Sequence, residues 1–198
     1  MILQPVLVPV PCDVPLRTPQ QVERQRVCAR LALRYCAGCC GAPEEGWEKD
    51  TDEVPLPQQG WYWSVSHKRH WAAAVVADQP VGIDIEHVIP RREAMFDEIA
   101  CAAEWGLLGG RSWRSFFRLW TAKEAILKAT GIGIAGLNTC RLEDIPDARH
   151  LTLEYENREW VVEHFYHADH VAAVTSGDAQ VSWHVLDPAA NADASDAV

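Results

Sequence analysis

Apolar and polar residues alternate over residues 61–87 in the manner typical of β-strands. Large apolar side chains flank serines in "WYWSVSH", and the two runs that follow, "WAAAVVA" and "VGIDIEH", are separated by a turn signal from Asp78 to Pro80. We therefore predict a hairpin whose second strand carries Asp84 and Glu86. Because successive side chains on a strand point to opposite faces, the two carboxylates share one face of that strand.

Like charges on one face of a strand repel each other unless a positive group lies between them. Two explanations are open for Asp84 and Glu86: a solvated polar face on an edge strand, or a site that binds a cation. Residues elsewhere in the chain bear on this choice.

Helical and strand-like patterns fill most of the remaining sequence. The spacing of apolar residues predicts helices over 20–37, 92–108 and 112–130, with Gly38 and Gly131 as stop signals after the first and the last. We expect further strands over 150–155, 159–166 and 170–186.

A weak internal repeat relates the two halves of the sequence. When the chain is shifted by 99 residues, Trp61 lies on Trp160 and "AAAVVADQPVGIDI" lies on "VAAVTSGDAQVSWHV", with a one-residue slip at the turn. This pattern predicts an α+β fold of two similar α/β halves packed as a pseudo-dimer, with a site between them. We assign the first half to 1–88, the second half to 89–187, and a disordered tail to 188–198.

Composition restricts the class of protein. With 48% hydrophobic and 23% charged residues the chain is typical of soluble globular proteins, and its formal net charge of -10 without a long basic run argues against a nucleic-acid partner. The first 15 residues are apolar, but their prolines and the lack of a basic start argue against a signal peptide or a membrane helix. Seven cysteines predict free thiols in a reducing compartment, with the cytoplasm as the expected location.

Two groups of possible metal ligands are weaker candidates. Cys36, Cys39 and Cys40 resemble half of a zinc knuckle, but no second Cys/His pair lies near them in the sequence, so buried thiols are the preferred interpretation. Three histidines recur every three residues from His164 to His170 in a segment predicted as strand and turn, which argues against a shared ion.

The helix predicted over 112–130 gives its charged residues distinct positions. On a wheel at about 100° per residue, one face is apolar and consists of Phe116, Leu119, Trp120, Ile126 and Leu127. Lys123 points into that face, where a lysine must extend to solvent or meet an anion. Glu124 lies at the edge of the face, with Lys128 one turn further on, and the two could form an ordinary surface ion pair.

A third carboxylate near Asp84 and Glu86 would favour a cation-binding site over a solvated strand face. If Glu124 lies beside Asp84 and Glu86, the three acids form an oxygen-rich site that suits Mg²⁺, an ion that also takes phosphate oxygens. Two lysines and a histidine nearby would complete a site for a pyrophosphate group.

The motifs "SVSH", "VGIDIE" and "LWTAKEAILKATG" together resemble those of the 4′-phosphopantetheinyl transferases, specifically the pseudo-dimeric type that activates surfactin synthetase and similar assembly lines. The resemblance is densest over residues 61–145. The pattern W-x-x-K-E-x-x-x-K after G-[IV]-D-[IV]-E is specific as a set, although "GIDIE" alone is weak.

This resemblance implies roles for the matching residues. Asp84, Glu86 and Glu124 would hold Mg²⁺ on the pyrophosphate of coenzyme A, which is the co-substrate. Catalysis would rest on Glu124, Lys128 and Asp84, with either Glu124 or a metal-held water as the general base. Contacts to coenzyme A would come from a larger set, in which the N-terminal arginines are the least defined: Ser66, His67, Lys68, Lys123, Lys128, Arg17, Arg24 and Arg26.

The resemblance also implies a reaction and a partner. The protein would transfer the 4′-phosphopantetheine group of coenzyme A to a serine of an apo acyl or peptidyl carrier protein, releasing adenosine 3′,5′-bisphosphate, and would act as a monomer. The carrier could belong to fatty acid, polyketide or nonribosomal peptide synthesis. An acidic carrier would need a local basic docking surface, for which the candidates are Arg91, Arg92, Arg111 and Arg114.

Two other functions stay open at this point. The same acids could support Mg²⁺-dependent phosphodiester hydrolysis, although no residue that would activate water stands out. A non-catalytic module that binds coenzyme A or a carrier protein is the second alternative. Retention of all three acids argues against it, because carboxylates held together without a function are costly.

Overall fold

The computed structural model describes residues 2–13 and 18–186, so Arg17 and the tail predicted to be disordered lie outside the described residues. The helices within these ranges are α1 (Pro19–Cys40), α2 (Met95–Ile99), α3 (Ala102–Leu107) and α4 (Trp113–Thr130), with a 3₁₀ helix at Gly133–Gly136. The strands are β1 (Ile2–Leu3), β2 (Val6–Pro9), β3 (Tyr62–His67), β4 (Trp71–Ala77), β5 (Ile83–His87), β6 (Arg141–Asp144), β7 (His150–Tyr155), β8 (Arg158–His167), β9 (His170–Thr175), β10 (Gln180–Val181) and β11 (His184–Val185).

Two sheets of similar design form the body of the protein. The first has four strands in the order β11-β2-β4-β3, and the second has five in the order β5-β9-β8-β7-β6. The first contains the long antiparallel hairpin β3–β4, and the second contains β7–β8 and β8–β9. β1 and β10 form a separate parallel pair. The fold is therefore α+β with two similar halves, as the internal repeat predicts.

One long helix covers each of the larger sheets. α1 packs on β2, β3 and β4, whereas α4 packs on β5, β8 and β9. The Thr18 side chain accepts a hydrogen bond from the Gln21 N–H at the start of α1, and Ser112 caps α4 in the same way through the Ser115 N–H. α4 ends at Thr130 and is followed by Gly131, whose φ of 73° is left-handed backbone that favours glycine. The predicted bounds of the helix over 112–130 are thus confirmed.

The two sheets face each other across an apolar interface. Leu7, Ala73 and Val75 from the first sheet pack with Ile83 and Ile85 from the second. This contact buries Ile83 and Ile85 completely, and their burial fixes the direction in which the opposite face of β5 points.

The acidic strand does not form the predicted hairpin. β5 pairs antiparallel with β9, and β4 pairs instead with β2 and β3. The hairpin prediction is wrong because the segment between Ala77 and Ile83 carries the chain from the first sheet to the second. β11 crosses in the opposite direction and pairs with β2, so each half of the sequence contributes a strand to the sheet of the other. The division of the chain at residue 88 stays a prediction.

Three other predictions differ from the structure in detail. Gly38 lies inside α1, which ends at Gly41 with a left-handed φ of 74°. The helix predicted over 92–108 is two short helices, and the strand predicted over 170–186 is three short strands.

The buried face of α1 differs from the one that its large apolar residues suggest. Val22, Val27 and Leu31 are exposed, and the residues that pack on the sheet are mostly small, among them Ala29 and Ala32. Small side chains let a helix approach a sheet closely, so here residue size is a better guide to burial than hydrophobicity.

The seven cysteines are all free, which confirms the predicted thiols. Cys36 and Cys40 lie within the last turns of α1, and their thiols donate to backbone carbonyls of Ala74 and Cys36 at 3.3 and 3.2 Å. Within the described residues, no helix is long and apolar enough to cross a membrane.

Candidate active site

Asp84 and Glu86 lie on one face of β5, as the alternation of the sequence predicts, but that face is not solvated. Only 4% of Asp84 and 7% of Glu86 is exposed, although β5 is the edge strand of its sheet. β3 and α4 contact β5 and cover the acidic face. The explanation by a solvated polar edge is therefore wrong, and two buried carboxylates require positive partners.

Asp84 receives two hydrogen bonds on a single oxygen. The Ser66 hydroxyl and the Lys128 ammonium group both donate to its Oδ1, each at 2.7 Å. Its Oδ2 is buried, and no described residue donates to it. Buried carboxylate oxygens are normally satisfied, so an oxygen of this kind is a suitable ligand atom for a cation.

Glu86 is held by Lys68, whose Nζ lies 2.7 Å from its Oε1. Burial raises the pKa of Glu86 and the charge of Asp84 raises it further, against the opposing effect of Lys68. Burial alone would lower the pKa of Lys68, but the charges of Glu86, Asp84 and Glu124 outweigh it and raise that pKa. Lys68 is thus part of the acidic cluster and not an unrelated surface residue.

A glycine allows α4 to lie against the start of β5. A Cβ on Gly82 would lie 1.8 Å from the Ala125 carbonyl oxygen and 2.8 Å from the Ala129 nitrogen, so no other residue fits without moving the helix. The close approach lets Lys128 reach Asp84 and also donate to the Ile83 carbonyl at 3.1 Å. This contact is the physical reason for the glycine in "VGIDIE".

Glu124 completes the group of three acids from one turn before Lys128 on α4. Burial raises its pKa, and the charge of Asp84 raises it further, whereas Lys128 and Lys68 lower it. Asp84 and Glu86 are each ion-paired with a lysine, but no ion pair holds Glu124 within the part of the chain that the structure describes. Glu124 is therefore the acid most available to accept a proton or a cation.

The donor set fits a magnesium ion. The three carboxylates do not all approach within 4.8 Å of one another, but Mg²⁺ commonly uses one or two carboxylates and completes its coordination with water and phosphate oxygens. Asp84 Oδ2, which has no donor among the described residues, could supply one such ligand, with Glu86 or Glu124 as the second.

Positive groups surround the acids. His67 is exposed at the end of β3, yet crowding by neighbouring protein lowers the pKa of its ring, and the charges of Lys128, Lys68, Lys49 and Arg26 lower that pKa further. All four positive charges act on this one ring, so the end of β3 is a favourable place for an anionic ligand. Lys49 is a residue that the sequence analysis missed, because it lies in a loop without a recognisable motif.

A cleft of about 420 Å³ is lined by Lys128, the partner of Asp84, although none of the three acids lines it. Its volume is within the range of ligand pockets. Its walls come from the loop after Lys49, from Ser64 and Val65 on β3, and from Lys128 and Gly131 at the end of α4. Lys49 also forms an exposed ion pair with Glu53 at 3.2 Å, so an anion entering the cleft would compete with a carboxylate for this lysine.

Two predicted contacts to coenzyme A, Lys123 and Arg24, have their described partners outside this cluster. Lys123 is 1% exposed, and its ammonium group donates to the Ile99 carbonyl at 2.5 Å and to Glu104 at 3.1 Å. Consecutive side chains on a helix point about 100° apart, so Lys123 faces α3 whereas Glu124 faces β5. Arg24 is ion-paired with Asp13, and Arg17 lies outside the described residues.

The arginines predicted as a docking surface lie toward the other end of α4. Arg92 pairs with Glu98 at 2.7 Å, Arg111 pairs with Asp97, and Arg114 lies over the Tyr166 ring at 4.9 Å. Ten residues of helix separate position 114 from position 124, which is about 15 Å along the axis. A role for this surface stays a prediction.

We expect the substitution Glu124→Gln to stabilise the protein in the absence of ligands. Because the folded pKa of Glu124 is raised, its ionisation weakens the fold as the pH rises through that pKa. At pH 7.5 the variant should melt about 2–4 °C higher than the native protein. Below the ordinary pKa of 4.5 the gain should vanish, because the carboxyl is protonated in both states. Thermal melts of the native protein and the variant across pH test this, with Glu23→Gln on the exposed side of α1 as the control. If Glu124→Gln melts at or below the native temperature at pH 7.5, the buried charge of Glu124 does not destabilise the fold.

The sequence around this site is similar to that of known proteins. Residues 80–175 match the family model of the 4′-phosphopantetheinyl transferase superfamily. The 4′-phosphopantetheinyl transferase psf-1 of Bacillus pumilus is 36% identical over 107 residues, which cover 50% of this chain and 46% of that protein. The 4′-phosphopantetheinyl transferase gsp of Aneurinibacillus migulanus is 34% identical over 110 residues, or 52% of this chain and 46% of that protein. The chain thus spans about half the length of the curated relatives it matches.

Proposed function

We propose that this chain, whose residues 80–175 match the family model of the 4′-phosphopantetheinyl transferase superfamily, transfers the 4′-phosphopantetheine group of coenzyme A to a serine of an apo acyl or peptidyl carrier protein. Adenosine 3′,5′-bisphosphate is the leaving product. The observation that carries the proposal is the buried acid trio with its lysines, beside a cleft of ligand size. Such an arrangement suits a pyrophosphate bound together with a divalent cation.

Asp84, Glu86 and Glu124 would hold Mg²⁺, and the unpartnered Oδ2 of Asp84 supports this assignment. When bound, the ion neutralises charge on the pyrophosphate and so stabilises the leaving group. Lys128 and Lys68 hold Asp84 and Glu86 in place and can turn toward phosphate oxygens. We assign the orientation of the same anion to His67, Ser66 and Arg26; the effect of the Arg26 charge on the His67 ring supports this grouping.

The transfer exchanges one phosphorus–oxygen bond for another. The carrier serine oxygen bonds to the β-phosphorus of coenzyme A, the bond from that phosphorus to the bridging pyrophosphate oxygen breaks, and the serine proton passes to a base. We propose Glu124 as the base, because burial raises its pKa and no ion pair holds it in the described structure. Docking of the carrier would place its serine in line with the breaking bond.

Three further properties belong to this proposal. The carrier would serve fatty acid, polyketide or nonribosomal peptide synthesis. The protein would act as a monomer, because Asp84, Glu86 and Glu124 come from one chain. It would work in the cytoplasm, as its free cysteines suggest. Light scattering that gave a dimer mass would contradict the second of these.

Release of adenosine 3′,5′-bisphosphate tests the reaction and separates it from the alternatives. The protein is incubated with coenzyme A and Mg²⁺, with an apo carrier, without one, or with a carrier whose acceptor serine is replaced by alanine. We expect release only with the intact carrier. Release without a carrier would instead indicate that the acids direct hydrolysis of the pyrophosphate bond by water, and bound coenzyme A without any release would indicate a binding module.

A further inference from the structure

A second cluster of potential ligands lies beside the acids and takes no part in the proposed reaction. His70, His87 and His170 each direct one ligand atom into a group in which all such atoms lie within 4.8 Å of one another. The rings of His87 and His170 are stacked with centroids 4.6 Å apart, and the ring of His70 meets both edge-on at 5.4 and 5.6 Å. Three imidazoles at this spacing are the donor set of many zinc sites.

The pairing of the strands explains why the rings meet. His87 is the last residue of β5 and lies directly opposite His170, the first residue of β9. Both side chains are on the same face of the sheet as Ile85 and Ala172, which pack in the interface between the two sheets. His70 comes from the turn between β3 and β4 in the other sheet. The cluster therefore closes one end of the interface with residues from both sheets.

His170 is the residue that points to a ligand. It is 5% exposed, and neither of its ring nitrogens has a hydrogen-bond partner in the described structure. A buried imidazole normally bonds through at least one nitrogen, as His164 does through contacts of 3.0 and 2.9 Å to the Arg149 and Arg118 carbonyls. A metal ion would supply the partner that His170 lacks.

We propose that His70, His87 and His170 form a binding site for a single transition-metal ion of the zinc class, which joins the two sheets next to the acids. The proposal does not depend on the transferase activity. Imidazole nitrogens favour Zn²⁺, Co²⁺ or Ni²⁺ over Mg²⁺, so the two ions would not compete for one site. Zinc–nitrogen bonds of about 2.0–2.1 Å place tetrahedral ligand atoms about 3.3 Å apart, so the rings must move inward. The partial exposure of His70 and His87 leaves room for this rotation, and a fourth position stays open to water.

An ion at this position would also hold the segments that carry Lys68 and Glu86. His70 lies two residues after Lys68, and His87 directly follows Glu86, so the ion would fix the two segments whose side chains form the ion pair at 2.7 Å. It would thus act as a structural link between the turn after β3 and the end of β5.

Titration of the full-length, chelator-treated protein with Co²⁺ in excess Mg²⁺ tests the proposal. We expect one equivalent to bind, with the visible absorption of cobalt in a nitrogen-rich tetrahedral site, and Zn²⁺ to displace it and raise the melting temperature. The variants His70→Gln and His87→Gln should bind at least about 100-fold more weakly, since each lacks one of three ligands. Both residues are only half-buried, so the variants should fold, and circular dichroism checks this.

The control variant is His184→Gln, which alters a partly buried histidine that contacts Gln4 and Tyr35 outside the cluster. It should bind cobalt as the native protein does. The proposal is overturned by the absence of one-to-one binding to the native protein, or by undiminished binding in both cluster variants. Thiolate-to-cobalt absorption in the near ultraviolet would also overturn it, because that signal would assign the ion to cysteines.

Discussion

Replacement of Asp84 by asparagine is expected to lower kcat/KM for phosphopantetheine transfer by about 10²–10³-fold, the usual effect of removing one preorganised electrostatic group from an active site. Asp84 combines two functions that asparagine cannot replace: it offers Oδ2 to a cation and its Oδ1 holds Lys128 at 2.7 Å. Most of the loss should appear in kcat, because both groups act on charge that develops in the transition state.

The matched control for this prediction is Asp78→Asn, which makes the same change at an exposed position in the connection before β5. Its kcat/KM should stay within about twofold of the native value, a difference of about 0.4 kcal/mol. If Asp84→Asn retains native turnover over a range of Mg²⁺ concentrations, the acidic cluster is not the catalytic site.

The second large effect concerns stability. Lys123→Met should lower the free energy of unfolding by about 3–5 kcal/mol, because it leaves Glu104 buried without its counter-charge. The folded variant should still transfer phosphopantetheine, since the Lys123 ammonium group contacts Ile99 and Glu104 and not the acid trio. Denaturant unfolding measures the first effect, and turnover at a temperature where the variant is folded measures the second.

A double-substitution cycle makes this prediction specific. Lys123→Met combined with Glu104→Gln should recover part of the lost stability, because the buried charge is then removed together with its partner. Arg30→Met, at an exposed position on α1, should have little effect on stability. A folded Lys123→Met variant with native stability but without turnover would restore the predicted role of this lysine in binding phosphate.

Local sequence pattern was sufficient for much of the acidic site. Side chains alternate between the two faces of a strand, which places Asp84 and Glu86 on one face of β5. A helix has 3.6 residues per turn, which separates Glu124 from the buried apolar face of α4. Both periods depend only on neighbouring residues, so they can be read without knowledge of the fold. The capped ends of α4 at Ser112 and Gly131 are local signals of the same kind.

Contacts between residues that are far apart in the sequence could not be predicted from local patterns. The wheel indicates that Lys123 must meet an anion or reach solvent, but its partner Glu104 lies 19 residues earlier, in a short helix with weak signals. Likewise, the alternating apolar and polar residues of β5 are compatible with pairing to β4 or to β9. Which strand it pairs with depends on how the two sheets pack.

The histidine cluster shows the same limit more sharply. Its members lie at residues 70, 87 and 170, so no spacing in the sequence unites them. The regular series from His164 to His170 is the histidine pattern visible in the sequence, but its members do not form one group. His164 is hydrogen-bonded to backbone carbonyls, whereas His170 lies with His70 and His87.

The central claim is that this protein moves phosphopantetheine to a carrier through its acid trio, and intact-protein mass spectrometry of the carrier tests it most directly. Apo carriers from fatty acid, polyketide and nonribosomal peptide synthesis are incubated with coenzyme A, Mg²⁺ and either the native protein or Glu124→Gln. We predict that at least one carrier gains the mass of one phosphopantetheine with the native protein and almost none with the variant. No gain in any carrier, while coenzyme A is bound, would contradict the claim.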